Sequence, residues 1–449
     1  MCMKKETAKA KGLAWWQLSL LGIGCTIGTG YFLGSSIGIK LAGPSVLLAF
    51  LLAAVGTYIV FLALAQMTVN DPQEGSFSYY AEKAFGVKAG FASGWNYWMT
   101  NLFIIGSQLT ALSLLSQFWF EDVPLWLFAC VYSILAIFVV LMGTSGFDRV
   151  ENVLSLIKVA AILMFIVLGL LAVFHLLEGA GQEPSLPQTG TAFFPNGLTG
   201  LWGSLIYAFY AFGGIEVIGL MAIQLKNKAD APKAGTIMLV GITILYMVSL
   251  GLAVSMTSYQ SFNEQESPFV TALTSYSLAF FPHVFNGAII VAGFSAMTAS
   301  LFGVTTLLVS LAKNKHAPAF FQKRINYHQL PLASLTLAIC GLIAVIVAAL
   351  LLPDQLFEYI TTAAGILILV NWIGMIISNE KLLKHSILRH VVNGFGIVLM
   401  LAAIAGIALE ATGRPGLYLS GSFLICLILL TKLVKKTTYK RKEWNGYKK

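Results

Sequence analysis

Glu216 stands in the middle of an apolar segment running from about residue 198 to 223, directly after Gly213-Gly214-Ile215. A charged side chain at the centre of a membrane-length stretch costs roughly 2.5–3.5 kcal/mol on insertion scales. Glu216 is read as the only acidic residue so placed, with the other eighteen in loops and tails. Two adjacent glycines beside it weaken the helix where it would have to break. The freed carbonyls of an unwound turn could accept an ammonium group, and Phe209 or Tyr210, just before the turn, could cap the pocket. Three roles are open to Glu216: accepting hydrogen bonds from the exposed amides, binding a coupling proton, or serving as a purely structural carboxylate.

A second apolar segment, 15–36, is interrupted by Gly22, Gly24, Gly28, Gly30 and Gly34. Two glycine-interrupted apolar helices far apart in sequence mark the central site of a transporter. If the helix unwinds at Ile27-Gly28-Thr29-Gly30, the amides of Gly28, Thr29 and Gly30 lead the next turn and present a positive dipole to an anion such as a carboxylate. The same glycines also fit close helix packing, as Gly24-x-x-x-Gly28 and Gly30-x-x-x-Gly34. Lys158 lies about a third of the way into the apolar stretch 151–177 and reads equally as a buried proton carrier or as a side chain extending to the inner interface.

Other residue types carry weaker signals. The six histidines sit at segment ends or in loops without ligand spacing, so no metal site is expected. No phosphate loop, catalytic triad or dinucleotide turn is present, so neither an enzyme nor a bound cofactor is expected. Asn101, Gln108 and Asn371 fit interhelical hydrogen bonding better than ligand binding.

The elements that must position these groups follow from composition. Of 449 residues, 57% are hydrophobic and 10% charged, against about 25% charged in soluble proteins. The chain is expected to be an all-α polytopic membrane protein. At about 20 apolar residues per span, twelve segments emerge: 15–36, 43–68, 89–119, 122–145, 151–177, 198–223, 235–257, 282–312, 331–352, 356–378, 388–410 and 416–434. With the N-terminus inside, 26 of the Lys and Arg residues fall on the inner side and only Lys40 and Arg414 outside. That bias predicts both termini in the cytoplasm. It also explains the net charge of +9 without nucleic acid, and the basic tail meets anionic lipid. The first segment is long for a secretory signal and reads as a retained span. Four of the five cysteines lie in apolar segments, so no disulfide framework is expected. The outer loop 178–197, with three prolines, reads as extended. Ser76–Phe85 reads either as a short interfacial helix, with Phe77, Tyr80, Ala81 and Ala84 on one side, or as an ordinary connector.

In order and spacing, the motifs resemble the amino-acid permeases of the amino acid–polyamine–organocation superfamily, bacterial amino acid transporter branch. They are Ile27-Gly28-Thr29-Gly30, Gly75-Ser76-Phe77-Ser78-x-Tyr80-Ala81, Gly94-Trp95-Asn96-Tyr97-Trp98, Glu151 with Ile157-Lys158-Val159, Gly214-x-Glu216-x-Ile218-Gly219, Ser295-Ala296 and Ala317-Pro318-x-Phe320-Phe321. The resemblance implies a five-plus-five inverted repeat with helices one and six broken. Residues 15–177 and 198–378 would be the two repeats, 388–434 two further helices, 1–14 a cytoplasmic tail and 435–449 the basic tail. It implies that the amides of Gly28, Thr29 and Gly30 hold a substrate carboxylate and that the carbonyls of Thr26, Tyr210 and Gly213 hold the ammonium. It further implies proton coupling through Lys158, with Ser295 beside it.

Departures from the family pattern are Cys25, Tyr31, Gln66, Gln108, Gln224 and Asn227-Lys228. Losing acids at 108 and 224 disfavours cationic substrates. The expectation is a transporter in a bacterial cell membrane that imports a neutral L-amino acid with a proton. An amino-acid exchanger, or a non-transporting amino-acid receptor on the same fold, remains the alternative.

Overall fold

The computed structural model describes residues 13–73, 76–177, 187–216, 219, 225–274, 276, 278, 280–325, 329–352 and 355–434, with backbone only at 144–152 and 155. Expectations for the tails at 1–12 and 435–449, the first part of the outer loop at 178–186, Gly75, Ile218, Gln224 and the Glu151 side chain lie outside the described residues.

The helices are α1 (Trp15–Thr26), α2 (Thr29–Phe32), α3 (Gly34–Ala42), α4 (Val46–Asn70), α5 (Ser76–Phe85), α6 (Val87–Gln117), α7 (Leu125–Leu141), α8 (Gly143–Val173) and α9 (Gly190–Phe193). They continue as α10 (Gly197–Ala211), α11 (Ala231–Met256), α12 (Pro268–Thr274), α13 (Phe281–Lys313), α14 (Leu332–Leu351), α15 (Leu356–Leu382), α16 (Ile387–Ile407) and α17 (Arg414–Leu433). Extended segments contribute an isolated parallel bridge from Leu13 to Leu225. Proline sits in the first turn of α11, α13 and α17, where a missing N–H costs nothing and the fixed φ suits the helix.

Among the described residues, nine helical stretches are long and apolar enough to cross a membrane. The difference from twelve has three local causes. The first two segments join into one run, Thr29–Asn70; Leu125–Leu141 is a shorter apolar helix; and α10 ends at Ala211, where the sixth segment breaks. Burial separates inner from outer helices. The apolar window of α15 is 78% buried, whereas that of α17 is 17% buried. Leu156, Ile387 and Leu433 are exposed, as side chains facing lipid should be. The interior is built by α6, α10 and α15 with the broken α1–α2–α3 run; α4, α11 and α13 pack around them.

α5 resolves the alternative at 76–85 as a helix. Phe77, Tyr80 and Ala81 are buried, and Ala84 is half-buried. It is anchored through Asp71, the residue that ends α4. The Asp71 carboxylate accepts from Gln73 (2.9 Å), Tyr79 (3.1 Å) and Lys83, while the Tyr80 hydroxyl donates to the Asp71 carbonyl (2.8 Å). Burial alone would raise the Asp71 carboxyl, but these donors and the Lys83 charge outweigh it and hold it below the usual carboxylate range. The anchor's contribution is therefore complete above the unfolded value of about 3.9 and is lost as pH falls through the lowered folded value. In detergent melts, Asp71→Asn should melt below the wild type at neutral pH, and the gap should close on acidification below pH ~4. A gap that does not vary with pH would show that the anchor does not depend on the charge.

Candidate functional site

Both glycine interruptions are real breaks. α1 stops with the Ile27 N–H on the Ile23 carbonyl (3.0 Å). Ile27 and Gly28 are extended, and α2 starts at Thr29. The first amides of such a turn have no carbonyl behind them in the helix. α10 ends with two tight turns, Phe212 N–H to the Phe209 carbonyl and Gly213 N–H to the Tyr210 carbonyl (2.9 Å). Gly214 then takes φ +106°, which L side chains rarely adopt.

The two breaks lie back to back. A Cβ on Gly214 would stand 3.0 Å from the Cys25 carbonyl oxygen and 3.3 Å from the Thr26 Cα. A Cβ on Gly30 would stand 2.7 Å from the Tyr210 ring. The expected ligand groups Thr26, Gly28, Thr29, Gly30, Tyr210 and Gly213 thus share one locus, walled by Ala296 of α13 and Gln108 of α6 beside Gly28. Gly30→Ala should cut uptake by at least about tenfold, because its methyl cannot fit against the Tyr210 ring without displacing it. Adding Tyr210→Val should recover part of the loss. Near-normal uptake by Gly30→Ala alone would refute this packing.

Glu216, buried to 1% exposure, ties the second break together. One carboxylate oxygen accepts from the Gly214 N–H (2.9 Å) and the other from the Trp372 indole of α15. The Gly214 amide freed by the break is thereby satisfied, an arrangement shared by the break-holding and the purely structural roles. Lys158, fully buried on α8, donates from Nζ to the Gly24 carbonyl oxygen at 2.8 Å. Its side chain turns inward onto α1 and not outward to the interface. Ser295 is also fully buried on α13, one residue before the Ala296 that faces Gly28. Phe209 does not join them: its ring lies against Gly56 of α4 and edge-on to Trp372. The aromatic ring that lies against the first break is that of Tyr210.

Several contacts were not legible in the sequence. Tyr31 stacks on Tyr246 of α11 with centroids 3.7 Å apart and bonds Ser249. The Tyr246 hydroxyl donates to the Ala211 carbonyl (3.1 Å) at the end of α10. One stack therefore links both broken helices. Glu358 corrects the count of intramembrane acids. It sits in the first turn of α15, 5% exposed, and accepts from Tyr207 (3.2 Å), which also bonds Thr362 (3.0 Å). Asn371 makes the expected interhelical bond, to Thr100 of α6 (3.3 Å), whereas Asn101 bonds back within its own helix to the Tyr97 carbonyl (2.8 Å). The Gln108 carboxamide oxygen has no partner among the described residues.

The family model for amino acid permeases matches residues 17–443. An uncharacterized transporter of Bacillus subtilis, YcgH, is 46% identical over 96% of this chain and 97% of its own length. The aromatic amino acid transport protein AroP of Corynebacterium glutamicum is 30% identical over 85% of this chain and 83% of its own length. AroP of Escherichia coli O6:H1 is 29% identical over 87% of this chain and 85% of its own length. With its apolar helices and these bacterial transporter relatives, the chain belongs to the amino acid permease family of multi-pass membrane proteins, not to an enzyme family.

Proposed function

We propose that the protein imports a neutral L-amino acid together with a proton, by alternating access across the bacterial cell membrane. The observation that carries this reading is the Lys158–Gly24 bond. A fully buried ammonium is costly in a membrane interior and tends to mark function. Here it holds the carbonyl four residues before Gly28, so loss of its proton would take the charge out of that bond and loosen its hold on the inner half of the broken helix.

The amides of Gly28, Thr29 and Gly30 would take the substrate carboxylate, and the carbonyls of Thr26, Tyr210 and Gly213 its ammonium. Tyr210 would close over the bound molecule. Glu216 would keep the second break open, and Ser295 would border the coupling lysine. Twelve spans in a five-plus-five inverted repeat with both termini cytoplasmic would provide the rocking bundle. A neutral side chain agrees with relatives named for aromatic amino acids and with Gln108 at the site.

A pH-sensitive dye trapped in proteoliposomes tests the coupling. Adding a neutral amino acid outside should acidify the lumen without any imposed gradient. Flux that leaves luminal pH unchanged would instead fit the exchanger.

A further inference from the structure

We propose that Gln108 and Thr29 form a side-chain subsite that selects neutral amino acids bearing a hydroxyl or carboxamide. This rests on the amino-acid reading above and narrows its substrate class. The Gln108 carboxamide oxygen and the Thr29 hydroxyl are buried, their residues 6% and 0% exposed, and neither atom has a hydrogen-bond partner among the described residues.

Gln108 stands in the wall that α6 and α13 raise against the first break, and Thr29 opens α2 at that break. The Gln108 carboxamide nitrogen lies 3.7 Å from the position a Cβ would take on Gly28. The Thr29 methyl packs on Gly293 of α13, where a Cβ would stand 2.6 Å away, next to Leu112, one turn along α6 from Gln108. Neighbouring polar groups are satisfied: Ser107 bonds Thr361 (2.6 Å), Tyr246 bonds the Ala211 carbonyl and Lys158 bonds the Gly24 carbonyl. The locus can therefore pair its polar groups, and the two that stay unpaired belong to residues in and beside the turn expected to hold the substrate.

Buried polar groups in native proteins are nearly always hydrogen-bonded, and an unpaired one calls for a reason. A substrate O–H or N–H supplies the donor that the Gln108 oxygen needs, and the Thr29 hydroxyl can donate or accept. An aliphatic side chain of the same shape would leave both unpaired. Sites built to hydrogen-bond a substrate reject analogues that lack the group. One unpaired group alone sets discrimination at roughly fivefold to a hundredfold in kcat/KM.

The test is uptake by the full-length protein in proteoliposomes, using isosteric pairs: threonine against valine, and asparagine against leucine, with phenylalanine alongside. The wild type should favour the polar member of at least one pair by about tenfold or more. Gln108→Leu should lower uptake of the favoured substrate and raise its apolar isostere relative to it. Wild-type uptake of valine, leucine or phenylalanine at or above the polar members would overturn this subsite and leave the permease reading standing. Equal loss of all substrates in Gln108→Leu would also overturn it, by showing a structural role. No flux of any amino acid would overturn the transport reading itself and this inference with it. The wild-type ratios decide the matter even if the variant does not fold.

Discussion

Lys158→Ala in proteoliposomes should abolish accumulation driven by a proton gradient, so that inside and outside concentrations of substrate only equalise. Exchange of labelled against unlabelled substrate should persist. The expectation follows from the Nζ donor to the Gly24 carbonyl at 2.8 Å. Removing the side chain removes both the proposed proton carrier and its tie to α1. The carboxylate and ammonium contacts proposed at the breaks do not involve Lys158, so binding should survive. A gradient of about one pH unit is worth about 1.4 kcal/mol, or tenfold accumulation at one proton per substrate. The wild type should approach that ratio and the variant should not exceed unity. Lys158→Met, which keeps the apolar stem and fills the space, should behave in the same way. Full accumulation by either variant would remove Lys158 from the coupling step.

Glu216→Gln should strongly impair transport and lower stability. The carboxylate accepts two buried donors, the Gly214 N–H and the Trp372 indole N–H. A carboxamide offers one oxygen, so one donor would meet an NH2 group. An unsatisfied buried donor costs about 1–3 kcal/mol. Because Gly214 holds the strained turn against Cys25 and Thr26, the damage should reach both breaks. Trp372→Phe alone should cost less, since it deletes one donor and leaves the carboxylate on Gly214. Adding Trp372→Phe to Glu216→Gln should cost less than the sum of the two, because the donor facing the carboxamide is then gone. Melting temperatures and uptake rates for the four proteins check this. Strict additivity would show that the indole and the carboxylate act independently.

The two breaks were legible because glycines clustered in a long apolar run weaken the helix at a definite place, whereas Lys158 read equally as buried or as reaching the interface, and its burial came from the structure. The direction of a side chain was harder to read. Phe209 and Tyr210 are adjacent, yet neighbouring helix positions point about 100° apart, and only Tyr210 meets Gly30. The Trp372–Glu216 bond joins residues far apart in sequence, and an indole in an apolar helix carries no periodic signal of its partner. Glu358 was passed over because it lies so close to the start of its segment that it reads as loop, although Tyr207 and Thr362 enclose it. Tyr31 was visible as a departure from the family pattern, but its stack on Tyr246 was not, since stacking depends on the packing of α2 against α11. The count of spans was legible only in part, because hydropathy does not register where a broken helix ends.

The most direct test of proton-coupled import is uptake of labelled neutral amino acids into proteoliposomes, one at a time, with and without an inward proton gradient. The account predicts accumulation above the external concentration only when the gradient is present. Uptake that ignores the gradient and requires amino acid preloaded inside would contradict it and make the protein an exchanger. Measurable binding without any flux would contradict it in favour of a receptor.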